Sequence, residues 1–300
     1  MKFLRWFVLG ATLFFLARAV QVHWQEVAGI ELNARLFGWS AIAFLITLLA
    51  HVWSGVVWLW ILRFCRQPAE IGWVLRVYLQ TNIAKYVPGN VWHFYGRIWA
   101  VKSAGAPMDV ALLCVLLEPL LMAAAAVAIA IAAAAGGWLT PSASWQAGYA
   151  VLPLLGLAIA LAGVHPRVLN PALGLVARIK GQKGEAIVRV ERYPWLPLVG
   201  EVGFVLLRGL GFVAAMAGFV SVGWGTLPLL LGTFGCAWFL GLVIPTPGGL
   251  GVFEATAIAL LDGHFPAGAV LAGVAVFRLL GIAAEAIAAG AAYLAERWAS

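Results

Sequence analysis

The feature that most constrains this chain is the length of its apolar runs. From Leu120 to Leu139 no side chain is charged, and the run extends upstream from Ala111 to Leu117 past the single Glu118. A helix needs roughly 20 apolar residues to cross a bilayer core about 30 Å thick. The rest of the chain is similar: 64% of its 300 residues are hydrophobic and 10% charged, against about a quarter charged in a soluble domain. That leaves too few polar side chains for a water-facing surface, so most of the solvent must be lipid. Closed β-barrels also span membranes, but they alternate polar and apolar residues instead of showing long Ala/Leu/Val runs. The sequence therefore predicts an all-α integral membrane protein built as one domain over residues 1–300.

Spans of roughly 20 residues are expected near 4–20, 39–62, 110–136, 147–164, 196–222 and 266–295. Lys2 and Arg5 precede the first. Arg18 spoils a small-x-small cleavage pattern at Ala17–Ala19, so this segment reads as a retained span, not a cleaved signal. Two other apolar stretches are broken. The stretch 73–99 is interrupted at Tyr86-Val87-Pro88-Gly89-Asn90, and 227–261 at Pro245-Thr246-Pro247-Gly248-Gly249. Proline removes an amide donor and glycine readily takes positive φ, so neither site can continue as helix.

Lysine and arginine are unevenly placed. The connection 165–194 holds Arg167, Arg178, Lys180, Lys183, Arg189 and Arg192, whereas 137–146 and 223–226 hold none. The positive-inside rule then puts both termini in the cytoplasm, with the segments 63–76, 97–102 and 165–194. On this count the two broken stretches enter and leave from opposite sides, as two opposed re-entrant hairpins. Counting each arm as a crossing extends the range, giving six to eight transmembrane helices. Among the fifteen tryptophans, Trp6, Trp24, Trp39, Trp60, Trp73, Trp138, Trp145, Trp195, Trp224 and Trp298 fall near span ends, where an interfacial belt is expected. The Ala-rich runs 123–135 and 283–292 suit close helix–helix approach.

Ionisable residues inside apolar stretches each cost several kcal/mol at mid-bilayer unless paired or hydrated. They are Lys85, Arg97, Glu118, Glu201, Arg208, Glu254, Arg278 and Glu285. Glu201 and Arg208 are seven apart, as are Arg278 and Glu285, so each pair shares a helix face at a separation of roughly 10 Å. Their partners should lie on other elements. Glu254 and Arg278 suit either a structural ion pair or a head-group role. A helix starting after Gly89 or Gly249 would offer free amides to an anion, or the break is simply a bend. His93 and Arg97 share a face beyond the first break and would add donors there. His23, His51, His165 and His264 read as hydrated interfacial histidines.

Catalytic signatures are sparse. The two aspartates, Asp109 and Asp262, fall at expected helix ends, and no His/Asp cluster suggests a metal. No phosphate-binding loop of the ATPase type occurs, and no cofactor is implied. The three cysteines have no close partner in sequence and read as free thiols. A net charge of +7 is explained by cytoplasmic flanks, which suit anionic lipid better than nucleic acid.

Two motifs carry a family resemblance. Asn82 through Trp92, with Lys85, Pro88, Gly89 and Asn90, followed by Arg97, Gly105 and Glu118, resembles the first signature of the lysylphosphatidylglycerol synthase transmembrane, or flippase-like, family. Pro247-Gly248-Gly249-Leu250-Gly251-Val252-Phe253-Glu254, followed by Arg278 and Glu285, resembles the second. The resemblance covers most of the chain. It implies a bacterial inner-membrane protein that moves lipid between leaflets, with anionic or aminoacylated phospholipid or a polyprenyl-linked glycan as partner. The sequence stops at Ser300, so it is similar to stand-alone members lacking the C-terminal aminoacyl-transfer domain. On this reading Glu254, Arg278, Arg97 and Glu118 line a head-group path. The alternative is a non-transporting partner or scaffold for a lipid- or glycan-modifying enzyme. An intramembrane enzyme is disfavoured by the missing nucleophile and base.

Overall fold

A computed structural model describes residues 33–87, 91–139, 161–171, 190–244 and 251–299. Within them the chain is helical, and no strand occurs among the described residues. Four helices are long and apolar enough to cross a membrane: α1 (Ala34–Phe64), α4 (Met108–Ala135), α5 (Trp195–Ala217) and α8 (Ala267–Ala299). The shorter ones are α2 (Ile71–Asn82), which tightens into a 3₁₀ turn over Ile83–Tyr86, α3 (Trp92–Ser103), α6 (Leu227–Val243) and α7 (Val252–Leu261). The chain is membrane-embedded by this composition. Expected spans 39–62, 110–136, 196–222 and 266–295 correspond to α1, α4, α5 and α8, with α5 ending at Ala217. The expected span 4–20 and most of 147–164 lie outside the described residues.

Both interruptions fall where the prolines and glycines predict. Helical structure stops at Tyr86, Val87 is extended, and α3 begins at Trp92. After Val243 the chain leaves α6, and α7 begins at Val252 beyond Gly251, which has φ of 82°. The residues Pro88, Gly89, Asn90, Pro247, Gly248 and Gly249 lie outside the described residues. The arms on either side pack together, α2 on α3 and α6 on α7.

The bundle is held by close approach of small residues, as lipid-embedded helices require when burial from water cannot drive association. On α5, Gly200, Gly203, Gly211 and Gly218 face Val57, Trp53, Thr47 and Leu36 of α1 in turn, which makes the two helices antiparallel. A Cβ at Gly211 would stand 2.9 Å from Thr47 Oγ1. Arg35 closes the seam by donating to the Ala217 and Val220 carbonyls at the end of α5, satisfying acceptors that a helix end leaves open. The first Ala-rich run behaves as expected: a Cβ at Gly235 of α6 would lie 2.7 Å from the Ala126 carbonyl of α4. Phe212, Phe234, Phe253 and Phe277, one each from α5, α6, α7 and α8, pack with every pair of ring centroids 5.7 to 6.0 Å apart.

Trp138, Trp195, Trp224 and Trp298 are exposed at or beyond helix ends, and Trp39 is exposed near the start of α1. Trp60 and Trp73 depart from the belt. Trp73 stacks on the buried Trp58, and Trp60 meets Trp53 edge-on, because α2 and α5 fold over that part of α1. Trp6, Trp24 and Trp145 lie outside the described residues. Asp109 sits in the first turn of α4 and Asp262 caps α7. The cysteines Cys65, Cys114 and Cys236 are free.

Candidate functional site: two buried charge clusters

The ionisable residues gather into two clusters at two levels of α5. The first surrounds Glu118 on α4. Tyr78 of α2 donates to Glu118 Oε1 at 2.6 Å, and Arg97 of α3 donates from Nη1 to Oε2 at 2.5 Å. Ser54 of α1 hydrogen bonds to the same phenol. Arg97 is 1% exposed and lies over the Tyr78 ring with Cζ 3.8 Å from its centroid. Thr81 and Asn82, at the end of α2, accept its remaining donors at 3.3 Å. Four helices are thereby bolted through one carboxylate. Glu201 of α5 is fully buried beside this cluster, and neither carboxylate oxygen has a hydrogen-bond partner.

This placement corrects two expectations. Arg97 is not an exposed basic flank residue: its guanidinium is buried and bonded to Glu118. Nor does it join His93 as an anion donor at the first break. His93 is buried against the Phe94 ring, and Arg97 points to α4.

The second cluster is built on α8. Lys85, in the 3₁₀ turn before the first break, reaches Glu285 Oε1 at 2.6 Å. His51 Nε2 of α1 is 3.2 Å from the same oxygen. His51 is therefore a buried member of the site and not a hydrated interfacial histidine, because α5 and α8 cover that face of α1. Seven residues before Glu285, Arg278 Nε lies 3.2 Å from Oε1 of Glu254 on α7, beyond the second break. Its guanidinium carbon is 5.2 Å from the Phe253 ring centroid.

Glu254 also folds back on the start of α7: its Oε2 accepts the Gly251 amide at 2.7 Å. The expected open helix N-terminus after Gly249 is thus occupied by the protein's own carboxylate. A negative group there satisfies the Gly251 amide and lies favourably at the positive end of the helix dipole.

Of the residues singled out in the sequence, Lys85 and Glu254 meet Glu285 and Arg278 on one face of α8, whereas Arg97 and Glu118 form a separate pair. Pattern alone missed Tyr78, Ser54 and His51, whose polar groups carry no signal until another helix supplies the partner. Arg208 and Glu201 were visible as intramembrane charges, but their surroundings were not.

The chain matches no protein-family model, and no curated protein matches it.

Proposed function

We propose that this protein is a lipid translocase of the flippase-like type, a relative of the lysylphosphatidylglycerol synthase membrane domain. The observation that carries the reading is the convergence of both broken segments on α8. Lys85, before the first break, pairs with Glu285, and Glu254, after the second, pairs with Arg278. Two residues seven apart are separated by about 10.5 Å along a helix, so the pairs line one strip of α8. Interrupted helices whose ends carry paired charges are a recurrent way of lining a path for a polar group within a bilayer.

The arms also support re-entrant hairpins. α2 and α3 have 12 residues each, about 18 Å of helix, too short for a core of roughly 30 Å. With the two arms of each hairpin counted as one dip, the protein has six full spans and both termini in the cytoplasm. Single cysteines at Arg167 and Thr226 should then label from opposite faces of inverted and right-side-out vesicles. Labelling from the same face would mean that α5 does not cross, and neither the six-span nor the eight-span count would stand.

The substrate on this reading is an anionic or aminoacylated phospholipid, or a polyprenyl-linked glycan. The membrane potential would bias its transfer by about 2.3 kcal/mol per charge per 100 mV. The decisive experiment is leaflet-resolved transfer of a fluorescent phospholipid in vesicles containing the purified protein. Transfer at the rate of protein-free vesicles would sink the proposal and leave a scaffold for a lipid- or glycan-modifying enzyme.

A further inference from the structure

Arg208 of α5 stands between the two ion pairs of the second cluster and has no carboxylate of its own. It is 5% exposed, and its Nε and Nη1 have no hydrogen-bond partner. The guanidinium rests against α8 at Gly281, where an added Cβ would lie 3.4 Å from Nη2 and 3.8 Å from Nη1. Gly281 lies between Arg278 and Glu285 on that helix, one turn from each. The faces of Phe277 and Trp238 lie 4.5 and 5.5 Å from Cζ. These rings attract the cation but cannot accept its in-plane N–H donors, which make up a fork suited to two oxygens of one anion.

The charge balance points the same way. Among the described residues, Lys85, Arg208 and Arg278 surround Glu285 and Glu254: Lys85 engages Glu285 through Oε1 while Oε2 has no hydrogen-bond partner, and Arg278 engages Glu254. One positive charge is left over, and it belongs to a side chain that stays protonated at any physiological pH. Evolution of a structural cation would place an acceptor beside it, since a buried unpaired charge is strongly destabilising. Lys85 and Arg278 keep side-chain exposures of 28% and 19%, so the cluster is reached from the side where the broken segments meet α8.

We propose that Arg208 is the seat of one phosphate oxyanion, held bidentately against Gly281 between the Lys85–Glu285 and Arg278–Glu254 pairs. This rests on the lipid-handling reading, in which the oxyanion is the phosphodiester of a lipid head group. The same chemistry would also fit free phosphate.

The test uses the purified full chain in neutral detergent, as wild type, Arg208→Met and Arg208→Lys, with thermal unfolding followed against added phosphatidylglycerol, diacylglycerol or inorganic phosphate. Phosphatidylglycerol should raise the wild-type midpoint, and diacylglycerol should not. Arg208→Met should need at least tenfold more phosphatidylglycerol for the same shift. Without lipid it should unfold at the wild-type temperature or above, because the uncompensated charge is gone. Arg208→Lys retains the charge but loses the fork; it should weaken binding three- to tenfold, and it decides the matter if Arg208→Met does not fold. An equal, Arg208-dependent shift with inorganic phosphate would support the oxyanion seat and assign it to a soluble anion. Unchanged phosphatidylglycerol binding in either variant overturns the proposal, as does a lipid-free Arg208→Met protein that unfolds well below wild type. Binding through Arg208 without lipid transfer would sink only the translocase reading, and transfer with binding that ignores Arg208 would sink only this site.

Discussion

Glu201 and Arg208 lie two turns apart on α5, and each borders its own charged cluster. Around Glu118, continuous helices bring Arg97, Tyr78 and Ser54 to the carboxylate with short hydrogen bonds, and the orphan is an acid. Around Glu285, Lys85 comes from the turn beside a break and His51 from α1, the Lys85 and Arg278 ion pairs are partly exposed, and the groups without a hydrogen-bond partner include the Arg208 guanidinium and Glu285 Oε2. A buried carboxyl can answer desolvation by keeping its proton, whereas a guanidinium has no neutral form to retreat to. Burial alone therefore does not identify a working site. The first cluster has the character of a structural bolt, and the second holds a buried guanidinium whose Nε and Nη1 have no hydrogen-bond partner.

That contrast is open to attack, most forcefully at the bolt. Arg97→Met or Glu118→Gln should each destabilise the protein by about 3–5 kcal/mol, the usual cost of stranding one member of a buried pair. Chemical unfolding in detergent measures this; a loss below about 1 kcal/mol would remove the distinction between the clusters. Next in size is the Lys85–Glu285 pair. A double-mutant cycle with Lys85→Gln and Glu285→Gln should give a coupling of about 1–2 kcal/mol, reduced by the partial exposure of Lys85.

Glu254 and Arg278 should couple more weakly, by about 0.5–1 kcal/mol, since their 3.2 Å approach is partly exposed. Here the charge-swapped double mutant is the sharper instrument. It should recover the pair's coupling but not lipid transfer if the pair handles a head group, with the Gly251 contact, which arginine cannot accept, still lost. Recovery of both would make the pair purely structural. The smallest effect is expected at Arg66–Glu191, a 2.6 Å pair whose members are both mostly exposed. Arg66→Ala should change stability by no more than about 0.5 kcal/mol, and a larger loss would show that the join between the end of α1 and the chain before α5 matters to the fold.

Much of the architecture could be read without coordinates. Length of apolar run and the chemistry of proline and glycine are local properties, so the four long helices and the helical limits around both breaks follow from segments of a few tens of residues. Asp109 at the start of α4 is legible for the same reason: its side-chain oxygen accepts a first-turn amide. The six spans expected in total depend on stretches outside the described residues, and the direction of each crossing rests on charge asymmetry alone.

The Glu254–Arg278 pair was expected and is present; the rest of the clusters' composition was not legible. Arg97 followed a broken helix and looked like a donor to that break, yet Glu118, 21 residues away, accepts from it at 2.5 Å. His51 looked like any interfacial histidine until α5 and α8 closed over it. By itself the sequence determined that charges enter the membrane and that two helices cannot continue, because both are consequences of residue type and near neighbours. Only tertiary structure decided which charges meet and which one is left without a partner. Coulomb and hydrogen-bond energies depend on distances between side chains of different helices, and helix packing alone sets those distances.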